Sequence, residues 1–477
     1  MTPNDILQKA YDPELFREQG HDLIDRMADL LKKAHSGEIP AIRYQEPARS
    51  WDYWSEKQRP PQHPIDLLEY ALREGVQLHS PRYMGHQISP PVPITALAGL
   101  VNDFMNNGMG VYEMGVVGVT LERLVCQIVG QHLGFGKAAD GILTSGGTLA
   151  NLTALLTARS VKAPEPVWTE GHRGPLALMV SEQAHYCVDR AVRIMGWGEG
   201  GIIKVPCDAQ FRMRTDLLDT FLAKARKEGK KVIAVVGSAC STATGAFDNL
   251  EAIADFCEKH DLWLHVDGAH GAATAFSTTY RHLVRGIERA DSVAMDFHKM
   301  LLTPAIATAL IYKEGNDAYK TFAQRADYLW EESAEPEWYN LAKRTFECTK
   351  AMYSLKWYSL YQTYGPELLD QYVSRVIDIT KALADRILDH PDFELATPPQ
   401  CNIICFRYIG NRSEDDVNQL NRSIRRQLLE DGKFYIVQTQ LNGTVYLRCT
   451  LSNPFTDEEH LEGLLELIKK VVAAGNS

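Results

Sequence analysis

The part of the sequence that most limits the fold begins at Gly141, where short apolar runs start to alternate with helical stretches. Apolar runs of this length, bounded by polar or turn residues, predict strands. Regular strand–helix alternation indicates an α/β fold, with a mostly parallel seven-stranded sheet covered on both faces and its strand ends brought to one side. The predicted strands are a first one within DGILTS, then Ala177–Ser181, Ile202–Val205, Val232–Val236, Leu262–Val266, Ser292–Phe297 and Ala305–Tyr312.

The length of 477 residues exceeds what one hydrophobic core usually serves, so more than one domain is expected. Residues 1–80 are predicted to form an N-terminal segment, with an amphipathic helix over 13–36 and an irregular connection over 37–64. That helix either packs on its own domain or forms an arm that packs on a second subunit. We place the large domain at 81–365 and a small α+β domain of strands and helices at 366–477.

Charge and cysteine content exclude several classes of protein. The net charge of −11 argues against nucleic acid or an anionic membrane as the main partner. Nine cysteines without a C-x-x-C pair favour a reducing compartment over a disulfide scaffold or a zinc site. The N-terminal residues lack a secretory signal pattern, and no apolar run reaches the ~20 residues that cross a bilayer. We therefore expect a cytoplasmic protein with no metal, membrane or nucleic-acid partner.

Two neighbouring strands are predicted to end on residues that can react. The strand over Ser292–Phe297 leads into His298 and Lys299, and the strand before it ends on Asp267. In α/β sheets such strand ends face the ligand. A lysine amine there can form a Schiff base with an aldehyde. A carboxylate can hold a proton on a pyridine nitrogen, a pair worth about 4 kcal/mol at 4 Å and an effective dielectric of 20. Together they suit pyridoxal chemistry, although each alone is also typical of an ordinary strand end.

The turn at residues 145–148, Ser-Gly-Gly-Thr, joins a predicted strand to a predicted helix. Glycine lets the backbone approach a ligand, and free N–H groups at a helix start favour an anion. The turn therefore fits a single phosphate group, or it is simply a tight structural turn; it matches neither the P-loop nor the dinucleotide fingerprint. Ala269 is small enough for a flat ring to lie against the strand end. His185 is a candidate to stack on the ring, or a core or surface histidine.

These features resemble the group II pyridoxal-phosphate decarboxylases of amino acids, which include glutamate, cysteine-sulfinate, aromatic-amino-acid, histidine and diaminobutyrate decarboxylases. The resemblance runs from Phe16 through the motif that begins at Arg448. It implies the type I, aspartate-aminotransferase-like fold, bound pyridoxal 5'-phosphate and a homodimer with active sites near the interface; two-fold dimers are also the commonest oligomers. The motifs that carry it are HSPRYMGH, TSGGTLAN, AHYCVDRA, STATGAFDNL, LWLHVDGAHG, DFHK and RCTLSNP.

By this resemblance Lys299 holds the cofactor as a Schiff base, the internal aldimine, while Asp267 pairs with the ring nitrogen and His185 stacks on the ring. Asp248 resembles an acid that supports the site from behind. Many family members carry Asn-Pro before the His-Lys pair, where this chain has Asp296 and Phe297. Because a carboxylate beside a phosphate is unfavourable, we expect Asp296 not to copy the asparagine's phosphate contact. The further cofactor contacts that the resemblance implies are Gly147, Thr148, Thr242 and His298.

The implied reaction is decarboxylation of an L-amino acid to an amine and CO₂. His86, Gln87 and Ser89 match the family segment that faces the substrate side chain, and they are polar. Arg448 matches the arginine that meets a substrate carboxylate in the glutamate branch, with a structural arginine as the alternative. We therefore expect an acidic substrate: glutamate, aspartate or cysteine sulfinate. The alternatives are an aromatic or diaminobutyrate substrate, an aminotransferase or carbon–carbon lyase on the same fold, and an inactive homologue.

A polar stretch over residues 325–344 has no clean helical or strand period, which suits a lid that orders when substrate binds. Tyr339 aligns with the lid tyrosine of glutamate-decarboxylase-like enzymes, and Tyr328 is its local rival. A phenol can donate a proton to the carbanion left after CO₂ loss. The alternative for Tyr339 is a tyrosine that merely packs on a loop.

Overall fold

The computed structural model describes residues 3–56, 65–163, 166–322, 337–410 and 412–475. The chain forms two compact units. The predicted domain division at residues 80 and 365 stays a prediction. The observed units have other bounds, and one of them contains both ends of the sequence. What we call the terminal unit comprises Met1–His86, Asp385–Ala396 and Cys405–Ser477, and the central unit comprises Gln87–Ala384 and Thr397–Ile404.

The central unit is built on a seven-stranded sheet with the order β1-β7-β6-β5-β4-β2-β3. Strand β7 is antiparallel to both of its neighbours, and the other pairs from β6 to β3 are parallel. The predicted α/β fold with a mostly parallel seven-stranded sheet is therefore confirmed. Its strands are β1 Asp140–Thr144, β2 Leu176–Ser181, β3 Ile202–Val205, β4 Lys231–Ser238, β5 Trp263–Asp267, β6 Ser292–Asp296 and β7 Thr308–Tyr312.

Both faces of this sheet are covered, which is why its strands are almost wholly apolar. Every residue of β2, β5, β6 and β7 is buried. Successive residues of β6 belong to different clusters of buried side chains: Val293 and Met295 pack in one, and Ala294 packs in the other. Strand side chains point alternately to the two faces, so the helices form one layer on each side of the sheet.

The helices match the predicted ones where an apolar face repeats every three to four residues. Among the described helices, none is long and apolar enough to cross a membrane. The α-helices are α1 Pro3–Ala10, α2 Pro13–His35, α3 Pro47–Glu56, α4 Asp66–Glu74, α5 Pro93–Met105, α6 Val116–Leu133, α7 Gly147–Lys162, α8 Val167–Glu170, α9 Tyr186–Ile194, α10 Leu218–Lys227, α11 Leu250–His260, α12 Phe297–Met300, α13 Tyr353–Leu388, α14 Glu414–Asp431 and α15 Glu458–Gly475. Short 3₁₀ turns lie at Tyr112–Met114, Glu199–Gly201, Thr215–Leu217, Gly271–Phe276, Arg281–Val284, Ile287–Arg289, Gly315–Lys320 and Leu341–Lys343.

The prediction of an irregular connection over 37–64 was wrong in part, because α3 lies within it. The helix begins at a proline, which is well tolerated in the first helical turn. Its aromatic side chains pack on α4: the Tyr53 and Trp54 rings each lie 5.0 Å from the ring of Tyr70. Contacts with α4 therefore stabilise this helix, and the spacing of its apolar residues alone does not predict it.

The C-terminal part of the chain forms a four-stranded sheet with the order β10-β11-β9-β8. The predicted small α+β domain is confirmed in its element types, with β8 as an additional short strand. The strands are β8 Phe393–Leu395, β9 Ile403–Tyr408, β10 Val437–Leu441 and β11 Thr444–Thr450. The long helix α13 precedes this sheet and bends at Gly365, where φ is +69° and Pro366 follows. Such a φ favours glycine and interrupts the regular helix.

Candidate active site

The candidate site lies at the carboxyl ends of the central strands. Strand β5 ends on Asp267, and β6 ends on Asp296, after which the single turn α12 carries His298 and Lys299. Helix α7 begins at Gly147, three residues after β1. These ends surround a cavity of about 430 Å³. The topology thus gathers side chains that are up to about 150 positions apart in sequence, as is usual for parallel sheets.

All the residues predicted to contact the cofactor border this cavity. They are Gly147, Thr148, His185, Thr242, Asp267, Ala269, His298 and Lys299. The cavity wall also includes Asn151, Cys240 and Asp296, which the sequence analysis did not assign to cofactor binding. The Sγ atom of Cys240 lies 3.6 Å from the Sγ atom of Cys401, and both thiols are free.

The Lys299 amine lies beside two carboxylates. Its Nζ is 3.0 Å from Oδ2 of Asp296, and the lysine side chain is 21% exposed. Burial lowers the pKa of Lys299, but the negative charges of Asp296 and Asp267 outweigh it, so the pKa is raised. An amine with this pKa carries a proton at neutral pH. Reaction with an aldehyde therefore requires that a nearby group accept this proton, and Asp296 is the carboxylate in contact with it.

Asp296 is almost fully buried and tightly held. Its carboxylate accepts a hydrogen bond from Thr308 Oγ1, and its Oδ2 lies 3.6 Å from His298 Nε2. A Cβ atom at Gly147 would lie only 3.0 Å from Oδ1 of Asp296, so a larger residue there would press on this carboxylate. The sequence analysis noted Asp296 as a departure but missed its pairing with Lys299.

Asp267 is the last residue of β5, and His185 lies in the connection between β2 and α9. Oδ1 of Asp267 accepts hydrogen bonds from Ala269 N at 3.3 Å and from Asn151 Nδ2 at 3.5 Å. His185 caps α9, because its Nδ1 accepts a hydrogen bond from Cys187 N at 3.3 Å. Burial lowers the pKa of His185 despite the nearby charge of Asp267, so its ring is mainly neutral at pH 7. A neutral imidazole can lie flat on an aromatic ring without the cost of desolvating a charge.

The turn before α7 has the geometry of an anion site. Gly146 adopts φ +135°, a value that favours glycine. The amides of Leu149 and Ala150 donate to Gly146 O, whereas the amides that precede them begin the helix and have no intrahelical acceptor. N–H groups at a helix start, together with the helix dipole, stabilise a phosphate. This location fits the predicted phosphate contacts at Gly147 and Thr148.

The other predicted residues lie elsewhere. Tyr339 is described, is 37% exposed and does not border the cavity, while Tyr328 lies outside the described residues. Ser89 is buried, and its amide donates to His298 O at 3.2 Å, so it holds the turn that carries Lys299. The partly buried Gln87 precedes it in the central unit.

His86 and Arg448 belong to the terminal unit, where Arg448 is buried on β11. The pKa of His86 is lowered by desolvation and by the positive charges of Arg448 and Arg425. Tyr83 donates its hydroxyl hydrogen to His86 O at 3.3 Å. The terminal unit therefore brings two arginines and a histidine together, an arrangement that suits an anion.

Asp248 anchors the end of β4 and does not border the cavity. Its carboxylate accepts hydrogen bonds from Met213 N at 2.7 Å and Ser238 N at 2.8 Å. Burial raises the pKa of Asp248 to about 6 even though these donors lower it. The acid that the resemblance placed behind the site thus ties the last residue of β4 to the backbone at Met213.

Together the fold and the cavity define a class of enzyme. A covalently reactive lysine, an acid for a ring nitrogen and a helix start for a phosphate are what pyridoxal phosphate requires, and the glycine cradle at residue 147 leaves room beside Asp296. The residues present therefore fit this cofactor.

Comparison with known proteins gives the family. The sequence model of the pyridoxal-dependent decarboxylase conserved domain matches residues 66–409. The chain is 29% identical to the aromatic-L-amino-acid decarboxylase of Bacillus atrophaeus over 78% of each chain. It is 28% identical to the human acidic amino acid decarboxylase GADL1, over 86% of this chain and 81% of that one.

A crystal structure from Vibrio parahaemolyticus agrees with the fold at a TM-score of 0.88, with 25% identity over 99% of this chain and all of that one. It is described as the glutamate decarboxylase domain of diaminobutyrate-pyruvate transaminase and L-2,4-diaminobutyrate decarboxylase. The chain belongs to the pyridoxal-dependent decarboxylase family. The protein is thus a pyridoxal-phosphate-dependent amino acid decarboxylase, as the sequence motifs predicted.

Proposed function

We propose that this decarboxylase acts on an acidic amino acid and that Lys299, Asp267, His185 and the start of α7 hold its cofactor. The observation that carries the site assignment is that all four border one cavity of about 430 Å³. Bound pyridoxal phosphate supplies the electron sink for the electron pair left when CO₂ departs. In this assignment Lys299 binds the cofactor's aldehyde carbon, and Asp267 keeps the ring nitrogen protonated by its negative charge.

In this proposal Asp296 accepts the proton that the Lys299 ammonium group loses. Its Oδ2 lies 3.0 Å from Lys299 Nζ, within reach of the proton that the ammonium must lose. The hydroxyl of Thr308 and the ring of His298 hold this carboxylate in place. His185 faces the cavity as a neutral ring, which suits stacking rather than charge pairing.

The acidic substrate is supported by the match of Arg448 to the arginine that meets a substrate carboxylate in the glutamate branch of the family. Arg448 and Arg425 both lie close enough to His86 to lower its pKa, so positive charge is concentrated there. A substrate carboxylate bound by an arginine gains a charge-assisted hydrogen bond, worth about 1.5–3 kcal/mol. The relatives do not decide the substrate, since an aromatic and an acidic amino acid decarboxylase match at nearly equal identity.

The deciding experiment is a panel of free L-amino acids assayed for CO₂ release by the purified holoenzyme. We expect the highest kcat/KM for aspartate, glutamate or cysteine sulfinate. Turnover of tyrosine or 2,4-diaminobutyrate, with none of the acidic substrates, would refute the acidic assignment. Release of CO₂ from none of them, with cofactor bound, would count against the site assignment itself.

A homodimer is the assembly that we propose. Helix α5 packs through Thr95, Ala98, Gly99 and Asn102, and Asn102 Oδ1 accepts a hydrogen bond from Met352 N at 2.8 Å. Its opposite face is apolar yet exposed, and this continues into the start of α6. Monomeric proteins rarely expose so large a patch. The exposed side chains are Leu97, Leu100, Val101, Phe104, Met105, Met114, Val116 and Val117.

Sedimentation of the purified protein tests the assembly. A homodimer of the 53.5 kDa chain is expected, and Phe104→Glu should shift it towards monomer, because a buried charge would oppose the interface. Ile194→Glu, at an equally exposed position on α9, is the matched control. A stable, active native monomer would exclude the dimer. A cytoplasmic location stays our prediction; it is supported by free thiols at all nine cysteines, each of which lies in the described ranges.

A further inference from the structure

A chain of buried polar side chains runs through the sheet behind the cavity. Trp263 Nε1 donates to Ser292 Oγ at 2.9 Å, and Ser292 Oγ lies 2.9 Å from His265 Nδ1. His265 Nε2 lies 2.9 Å from Asn151 Oδ1. Asn151 Nδ2 then donates to Gly147 O at 2.8 Å and, more weakly, to Asp267 Oδ1 at 3.5 Å. The first four side chains are at most 1% exposed, so water does not compete with these bonds.

The direction of this chain is fixed at both ends. An indole N–H can only donate, so Ser292 Oγ accepts from Trp263, and Ser292 donates its own hydrogen to His265 Nδ1 if that nitrogen carries none, which the other end of the chain decides. At the other end, a carbonyl and a carboxylate can only accept, so the amide nitrogen of Asn151 faces them and its oxygen faces His265. A neutral imidazole carries one hydrogen, which must then lie on Nε2. Burial lowers the pKa of His265 to about 4, which keeps the ring neutral at pH 7.

The chain joins the two parts of the cofactor site. Gly147 begins the helix that we assign to the phosphate, and Asp267 is the acid that we assign to the ring nitrogen. The amide of Asn151 contacts both. A donor to a carboxylate favours its ionised form, whereas an acceptor turned toward it would repel it. If the amide were reversed, its oxygen would face two other oxygens.

We propose that Trp263, Ser292 and His265 act as positioning residues, which hold the Asn151 amide with its nitrogen toward Asp267 and Gly147 and so fit both to the bound cofactor. This inference rests on the proposed role of Asp267. None of the three touches the cavity; they act through Asn151, which borders it.

The test is the dissociation constant of pyridoxal phosphate, titrated into folded apoprotein and followed by absorbance. His265→Leu leaves the buried Asn151 oxygen without a donor and should weaken cofactor binding by at least about fivefold. His265→Gln can donate to Asn151 and accept from Ser292, so it should restore affinity to within about twofold. In an Asn151→Ala background, His265→Leu should have no further effect, because the group through which it acts is gone.

Two results would overturn the proposal: an affinity within about twofold of native for folded His265→Leu, or full additivity in the double variant. If His265→Leu does not fold, the double variant Trp263→Phe/Ser292→Ala removes both partners of one link and leaves no orphaned donor. It should weaken cofactor binding in the same direction, and native affinity there would refute the chain.

Asp267→Asn separates this inference from the proposed function. If Asp267→Asn leaves cofactor affinity and turnover unchanged, the assigned role of Asp267 is wrong. If Asp267→Asn lowers both while His265→Leu lowers neither, the role of Asp267 stands and only the positioning chain fails.

Discussion

Lys299 and Tyr339, the two residues to which we assign the first and last steps of the reaction, lie in contrasting surroundings. Lys299 follows a central strand, and its amine is paired with the buried Asp296 at 3.0 Å. Tyr339 is 37% exposed, and its ring meets those of Tyr112 and Trp338 edge-on, with centroids 5.8 Å away in each case. Lys299 thus has a buried ionic partner next to the sheet, whereas more than a third of Tyr339 is exposed.

The contrast continues in how each region is anchored. The segment after Tyr339 is tied to the rigid part of the central unit by buried ion pairs: Arg344 with Asp140 at 2.8 Å and Lys350 with Glu122 at 2.5 Å. Removal of one partner of such a pair is strongly destabilising. Tyr339 therefore lies just before a segment that these ion pairs hold in place. The predicted lid over 325–344 stays a prediction, since the structure describes only its part from residue 337 onward.

The largest effect is expected for Lys299→Ala, which should abolish the covalent bond to the cofactor and lower kcat by several orders of magnitude. Lys320→Ala is the control, because this exposed lysine pairs with Asp317 away from the cavity. Borohydride reduction of the native holoenzyme followed by peptide mapping should label Lys299. A label on another lysine would show that Lys299 does not bind the cofactor, and the contrast with Tyr339 would then fail.

Asp267→Asn should come next. At 4 Å and an effective dielectric of 20, loss of the ion pair with a ring nitrogen removes about 4 kcal/mol, or about a thousandfold in rate. Asp248→Asn is the informative partner, because Asp248 is also buried but accepts hydrogen bonds from the backbone amides of Met213 and Ser238. It should lower the free energy of unfolding and leave kcat of the cofactor-loaded enzyme near native. Equal losses of kcat in both variants would contradict the distinction between them.

Tyr339→Phe should retain the cofactor while proton delivery fails, since removal of a general acid typically costs about 10²-fold or more. Amine yield should then fall below CO₂ release as aldehyde formation or transamination rises. The ratio of CO₂ to amine is the measurement, with the exposed Tyr364→Phe as control. A ratio of one at an unchanged rate would assign Tyr339 to loop packing and direct the test to Tyr328.

Arg448→Met should give the smallest effect, a loss of about tenfold to a hundredfold in kcat/KM for the acidic substrate. Turnover of an aromatic substrate should change far less. The matched control is Arg426→Met, which removes an exposed arginine that pairs with Glu430 on the same helix. A uniform loss for all substrates would identify Arg448 as a structural arginine.

Much of the fold could be predicted because its strands are buried on both faces. Such strands appear in the sequence as continuous apolar runs, and all seven were located within a few residues. Helix α3 was missed, since its aromatic residues pack on α4 rather than repeating with a helical period. The short strand β8 was missed for a similar reason: three residues give too little pattern to distinguish a strand from a loop.

From the sequence by itself, the lysine, the strand-end acid and the Gly-Gly turn together suggested pyridoxal chemistry, and the decarboxylase reaction followed from the resemblance of its motifs to a known family. Only the tertiary structure decided that Asp296 pairs with Lys299 and that Asn151 links Gly147 to Asp267. It also showed that Asp248 accepts hydrogen bonds from the backbone amides of Met213 and Ser238. The reason is physical: the direction of a buried hydrogen bond and the partner of a buried charge depend on which strands and helices meet. No single stretch of the sequence holds that information.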